Sequence, residues 1–221
     1  MSYPGDRAPS LSLADFQDGL RRPVARDEVA SFQPSPEIQR LDIRFDIGKL
    51  RQALREVERR KGFSDDVWGA IPLTQRPGHQ GPWSQSDLSG LYHMRADERY
   101  QEEAFEDPVD EAQFSEFVPD LADTYFAEVH STLSQYMKIG RMRILRKVSY
   151  NANSWHRDPE PRLHIPIVTN PGSLFIVNNH CTHLPADGHV YFTDTRGYHT
   201  AVNGGLAPRV HIVAALPEGR V

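Results

Sequence analysis

Residues 162–167 read Arg162-Leu163-His164-Ile165-Pro166-Ile167. Leu163, Ile165 and Ile167 recur at every second position, the period of a strand whose successive side chains point to opposite faces. One face of this strand is apolar, and the other presents Arg162 and His164 side by side. Working outward, the chain from Met142 onwards reads as strand after strand. Ile144, Val148 and Tyr150 begin the run, and the apolar stretches 174–177, 190–192 and 210–214 continue it. Asn170-Pro171-Gly172, Asp187-Gly188 and Asn203-Gly204-Gly205 punctuate it with turn signals. Many short strands at this spacing indicate a sandwich, barrel or jelly roll.

Upstream the pattern differs. Residues 1–36 carry prolines and charges without a sustained period and read as an N-terminal arm, which leaves 37–221 as a single domain. Ile38, Leu41, Ile43 and Phe45 suggest a strand. Residues 47–60 place Leu50, Leu54 and Val57 at helical spacing, with Gly62 as the stop. A short strand is expected over 70–74, then a Gly/Pro/Ser-rich loop over 76–89. A second helix is expected over 119–137, with Leu121, Tyr125, Val129, Leu133 and Tyr136 on one face and Gly140 as its stop. The expected fold is mainly β with helices packed on the β core.

The chain has 221 residues, 38% hydrophobic and 25% charged, enough to bury a sizeable core in one domain. A net charge of −5 from interspersed signs argues against a dedicated nucleic-acid or membrane-surface binder. No apolar run approaches the ~18 residues of a membrane helix, and residues 1–10 lack the order of a secretory signal. Cys181 is the single cysteine, so no internal disulfide forms, in keeping with a reducing cytoplasm. Seven of the ten histidines lie between His156 and His211, a first hint of a metal site.

Trp155-His156-Arg157-Asp158 is the strongest local element. On an extended segment His156 and Asp158 point to the same side and offer one metal ion an imidazole nitrogen and a carboxylate oxygen. Alone, such a pair is equally well explained as a surface ion pair or a turn. A second histidine from a distant strand completes two histidines and one carboxylate on one face, the open arrangement of non-haem iron(II). His199, in Tyr198-His199-Thr200, follows 43 residues later and suits that place. Ten residues further on stands Arg209, whose neighbours Val210, Ile212 and Val213 suggest a buried segment; an arginine there needs an anion, and its planar fork binds a carboxylate. Arg162 and His164 either face a second carboxylate or form the polar outer face of a half-exposed strand.

Residues 142–217 resemble the aspartyl/asparaginyl β-hydroxylase family, including its bacterial proline-hydroxylase-like members. The resemblance lies in His156-Arg157-Asp158, Arg162-Leu163-His164, Tyr191-Phe192-Thr193-Asp194 leading to Tyr198-His199, and Arg209-Val210-His211. It implies a double-stranded β-helix (jelly-roll, cupin-like) core and an Fe(II)/2-oxoglutarate-dependent dioxygenase. Such an enzyme uses O2 to hydroxylate an unactivated C–H of an amino-acid side chain, free or peptidyl. By the same resemblance His156, Asp158 and His199 are the metal ligands, and Arg209 binds the distal carboxylate of 2-oxoglutarate. Arg162 and His164 then lie near its metal-proximal end. Some eukaryotic members have glycine at the position of Asp158; here a full triad is expected, which also argues against halogenation.

Other features point elsewhere or nowhere in particular. Asn179-His180-Cys181-Thr182-His183 offers zinc-type ligands, but four at structural spacing are not evident, and a loop explains it. His211 shares the face of Arg209, either lining the cavity or packing. Trp155 and Tyr150 either shape a substrate pocket or sit in the core, and Trp83 with the 76–89 loop suggests a lid. Two rival functions use the same metal ligands: a non-catalytic metal-binding jelly-roll module or sensor, and a zinc or manganese hydrolase or isomerase on a cupin-like barrel.

Overall fold

The structure, a computed structural model, describes residues 12–21, 31–64, 69–88, 94–96, 99, 101–104 and 109–220. In chain order they form α1 (Leu13–Gly19), β1 (Ile38–Arg44), α2 (Ile47–Lys61), β2 (Ala70–Pro72), β3 (Thr74–Gln75), α3 (Gln85–Leu88), β4 (Met94–Ala96), β5 (Glu102–Ala104) and β6 (Glu116–Phe117). There follow α4 (Tyr125–Ser134), β7 (Met142–Lys147), β8 (Asn151–Ala152), β9 (His156–Arg157), β10 (Arg162–Val168), β11 (Ser173–Val177), β12 (His180–Thr182), β13 (His189–Thr193), β14 (His199–Asn203) and β15 (Arg209–Ala215).

From β7 onwards the chain passes back and forth between two antiparallel sheets. One has the order β1-β13-β10-β15-β7-β2 and the other β12-β11-β14-β9-β4-β5, with β8 paired to β14. Successive strands β7, β9, β10, β11, β13, β14 and β15 alternate between the sheets, apart from the hairpin β11–β12. This is the double-stranded β-helix, or jelly roll, expected from the sequence. The residues of β10 divide as their period requires. Leu163, Ile165 and Ile167 join the main core, while Arg162 and His164 face the space between the sheets. Because the helices cover the outer apolar face, both faces are buried, and a solvent-exposed polar face for Arg162 and His164 is ruled out.

That main core lies between the first sheet and helices α2 and α4. Leu50, Ala53, Leu54 and Val57 of α2 and Phe126, Val129 and Leu133 of α4 pack on Met142, Ile144, Val210 and Ile212. Asp46 caps α2 by accepting hydrogen bonds from the Gly48 and Lys49 amides at 2.7 and 3.0 Å. Gly62 ends it, as the sequence predicts. A smaller core of Ile38, Phe175, Val177, Leu184, Tyr191 and Ala201 includes residues from both sheets and fills part of the space between them.

The second helix is shorter than expected. Pro119–Leu121 forms a 3-10 turn, Thr124 is extended, and only Tyr125–Ser134 is α-helical. Its buried face uses Phe126 in place of Tyr125, and Tyr136 lies beyond it, exposed. Gly140 is no helix stop: a Cβ there would sit 2.6 Å from the Glu111 carbonyl oxygen, so the glycine permits a close backbone approach. Within the stretch read as an arm, Leu13–Gly19 forms a helix that buries none of its residues; residues 1–11 and 22–30 lie outside the described chain. No helix among the described residues is long and apolar enough to cross a membrane.

Candidate metal centre and anion pocket

His156 of β9 and His199 of β14 are direct register partners across the second sheet, so both imidazoles project inward with ring centroids 4.1 Å apart. Asp158 follows β9 and is fixed by its amide, which donates to the Thr195 carbonyl at 2.9 Å. Its Oδ2 stands 3.7 Å from His199 Nε2. One ligand atom from each of the three residues lies within 4.8 Å of the others, the sole such cluster of His, Cys, Asp and Glu among the described residues.

The tautomers suit a metal. Nδ1 of His156 donates to the Ser154 carbonyl at 2.6 Å and Nδ1 of His199 to the Gly197 carbonyl at 3.1 Å. Each bond leaves the lone pair of its ring on Nε2 and fixes the ring plane. Burial, then the neighbouring His156, pulls His199 down to about 4, and burial lowers His156 as well. Burial alone would raise Asp158, but the Arg162 guanidinium beside it holds the carboxyl below its ordinary range. At neutral pH the site therefore offers two neutral imidazoles and a carboxylate, already in the protonation states metal binding requires. The donor set fits a divalent transition metal with open positions.

Between the sheets a cavity extends from this triad to Arg209. Arg209 is buried and pairs in register with Lys147 of β7. Among the described residues its guanidinium bonds to imidazoles, with Nη2 at 2.8 Å from His211 Nδ1 and 3.4 Å from His164 Nδ1. No carboxylate of the described residues pairs with it, and burial pulls it down to about 10. Lys147 donates to the side-chain oxygens of Asn151, at 2.9 Å, and of Asn153. Burial, then Arg209, lowers it to about 7. His164 lies against Phe175 at 4.9 Å, and burial keeps its ring neutral. Leu145, Phe175, Ala201 and Val213 supply the apolar wall.

Arg162 lies in the same cavity, yet its guanidinium is engaged by three carboxylates of this chain. Nε is 3.3 Å from Asp158 Oδ2, Nη2 is 3.1 Å from Glu111 Oε1, and Nη1 is 3.5 Å from Glu160 Oε1. Arg162 is thus paired with Asp158 and Glu111, while its Nη1 makes no hydrogen bond among the described residues. His211 packs beside Arg209 and is not among the residues lining the cavity.

The zinc alternative finds no ligand cluster: among the described residues His180, Cys181 and His183 do not converge on one point, and His180–Thr182 form the strand β12 where a loop was expected. Tyr150 and Trp155 are exposed and belong neither to the core nor to the cavity wall. Trp83 stacks on His79 and lines a separate apolar hollow beside Gly62 and Phe63; its segment reaches the cavity where the Leu88 carbonyl accepts from Arg143 Nη1.

Sequence reading missed Lys147, Arg143, Arg141, Glu111 and Asn153. Lys147 was within reach, since Arg143, Leu145 and Lys147 repeat the period-two pattern of Arg162 and His164. Glu111 carried no such signal, because its partners lie 30 and 51 residues away.

No protein-family model matches the chain, and no curated protein matches it. Among solved structures it is similar to an oxidoreductase of the 2OG-Fe(II) oxygenase family from Burkholderia pseudomallei. That match has 14% identity, covers 88% of this chain and 98% of the other, and has a TM-score of 0.48. A viral collagen prolyl hydroxylase from Paramecium Bursaria Chlorella virus-1, in its 2OG complex, matches at 9% identity over 81% of this chain and 94% of its own, with a TM-score of 0.46. A cupin domain from Bordetella pertussis matches at 18% identity over 34% and 79%, with a TM-score of 0.30. The strand order of the chain itself carries the fold, and its own side chains carry the chemistry.

Proposed function

We propose that the protein is an Fe(II)- and 2-oxoglutarate-dependent oxygenase that hydroxylates an unactivated C–H bond of an amino-acid side chain, free or peptidyl. One observation carries this reading: the same cavity holds two neutral imidazoles with a carboxylate at one place and, at another, a buried arginine that no carboxylate of the described residues pairs with. His156, Asp158 and His199 hold the metal. Bound iron(II) supplies the coupling of O2 reduction to decarboxylation of 2-oxoglutarate, giving succinate, carbon dioxide and the hydroxylated substrate.

The remaining work belongs to the protein's own groups. Arg209 receives the distal carboxylate through charge-assisted hydrogen bonds, and Lys147, lowered to about 7, takes up a proton beside it as the anion enters. His164, held neutral, lies alongside the bound chain, and Leu145, Phe175, Ala201 and Val213 keep water from it. Arg162 keeps Asp158 ionised and aimed. A zinc or manganese hydrolase with these ligands has no use for Arg209, and a sensor that keeps the metal turns nothing over.

Metal analysis of anaerobically purified protein, followed by O2-dependent succinate formation from 2-oxoglutarate, tests the reading. Iron with succinate formation supports it. Zinc without succinate formation favours the hydrolase, and iron without turnover favours the sensor. Amino acids and peptides screened for a mass gain of one oxygen atom then identify the substrate.

A further inference from the structure

Glu111 stands 47 residues before Asp158, on the 3-10 turn Glu111–Gln113, and is buried to 3% exposure. Arg141 clasps it through two parallel bonds, Nε to Oε2 and Nη2 to Oε1, each 2.6 Å. The backbone is pinned as well. The Arg141 amide donates to the Glu111 carbonyl at 2.9 Å, and Gly140 lets the two segments close on one another. Arg141 is itself buried and lies 5.3 Å from the centroid of the Phe114 ring. Glu111 Oε1 also accepts from Arg162 Nη2 at 3.1 Å, and the Nε edge of that guanidinium faces Asp158 Oδ2 at 3.3 Å. Oδ2 is the oxygen that faces His199 Nε2.

We propose that Glu111 is a positioning residue for the metal centre, held by Arg141 and acting through Arg162 on the Asp158 carboxylate. The proposal rests on the reading of His156, Asp158 and His199 as metal ligands. Two physical effects act in one direction. Glu111 fixes one edge of the Arg162 plane, so the other edge aims Oδ2 at the centre. Its negative charge also shares the Arg162 cation, so Asp158 is not claimed by the guanidinium and keeps its electron density for the ion. Without that charge Arg141, Arg143 and Arg162 are three buried cations in one neighbourhood, and Asp158 is drawn toward them. A buried ion pair serving stability alone would alter the melting temperature and leave the metal affinity of the folded protein where it was.

The test titrates Co(II), without co-substrate, into the metal-free full chain, reading the dissociation constant by calorimetry and the ligand geometry by the visible d–d bands. Glu111→Gln is expected to weaken binding about 10- to 100-fold, the usual effect of losing an outer partner of a ligand, and to alter the bands. In an Arg162→Gln background the same change is expected to add less than about twofold, because the path is already cut. Asp158→Ala serves as the control. If it binds Co(II) like the wild type, the metal-centre reading itself falls. If Asp158→Ala loses the ion while Glu111→Gln binds within about twofold of wild type, the role of Glu111 is overturned and the metal centre stands. Should Glu111→Gln fail to fold by circular dichroism, Arg141→Lys, which opens the two-bond clasp and keeps the charge, replaces it. Weaker Co(II) binding in that variant supports the proposal, and unchanged binding overturns it.

Discussion

Replacing Arg209 by methionine separates a binding role from a structural one, because the two predict opposite signs. Arg209 is 6% exposed, and among the described residues its guanidinium bonds to the imidazoles of His164 and His211. Burial lowers it from the ordinary arginine value to about 10. At 1.36 kcal/mol per unit, keeping it charged inside the fold costs about 3 kcal/mol. Hydrogen bonds from a cation to neutral acceptors return roughly 1.5–3 kcal/mol. A methionine of similar length removes both contributions, so the ligand-free protein should be unchanged or more stable by about 1 kcal/mol, a rise of roughly 2–4 °C in Tm. Binding of 2-oxoglutarate should move the other way. Loss of the charge-assisted pair costs about 1.5–3 kcal/mol, so the affinity measured by calorimetry on anaerobic, Mn(II)-loaded protein should drop about 10- to 100-fold. If Arg209→Met lowers Tm by several degrees and leaves 2-oxoglutarate affinity intact, Arg209 is a structural residue and not the anion receptor.

Three further outcomes are expected. Asp158→Ala should abolish succinate formation while circular dichroism and Tm show a folded protein; full turnover in that variant would remove Asp158 from the metal centre. Acid should destabilise the metal-free protein in a defined window. His199 is lowered to about 4, and burial lowers His156, His164 and His211, so the unfolded chain takes up protons that the folded one refuses. Stability is then fully present above pH ~6.5 and falls toward pH 4, His199 alone contributing about 3 kcal/mol of the loss; urea titrations that show no change between pH 7.5 and 5 would contradict this. Gly188→Ala should cost at least about 2 kcal/mol in the same assay, because its φ of +88° suits glycine and a Cβ would lie 2.1 Å from the Phe45 carbonyl oxygen. A neutral effect would show that the turn into β13 is not fixed against β1.

The β-helix was legible because its strands obey a strict period. Leu163, Ile165 and Ile167 pointed to the helices, and Arg162 and His164 to the interior, as alternation demands. Helix α2 was equally plain from Leu50, Leu54 and Val57 at helical spacing and Gly62 as the stop. The second helix was misjudged because apolar spacing over 119–137 says nothing of where the backbone leaves the helical region. Pro119 and the extended Thr124 divide that run into a 3-10 turn and a shorter helix. Gly140 was read as local punctuation, whereas its use is a contact with Glu111, 29 residues away in the chain.

The same limit explains what was visible of the site. His156 and Asp158 are two residues apart, and Arg209 follows His199 by ten along one strand-turn-strand unit, so local rules bring each pair into one cavity. The outer partners obey no local rule. For Arg162 the sequence leaves open a second carboxylate or a polar outer face, because strand period sets only the direction of its side chain. What it meets there depends on Glu111, delivered by a turn from outside the β-helix, and on Asp158 four residues before it. A strand pattern fixes the direction of a side chain but not the charge waiting at its end. In a buried cavity that charge decides whether an arginine binds a ligand or holds a ligand-binding residue in place. Arg209 and Arg162 point into the same space from β15 and β10. On the function proposed above, the first, which meets neutral rings, receives an external anion, and the second, which faces acidic side chains, serves Asp158.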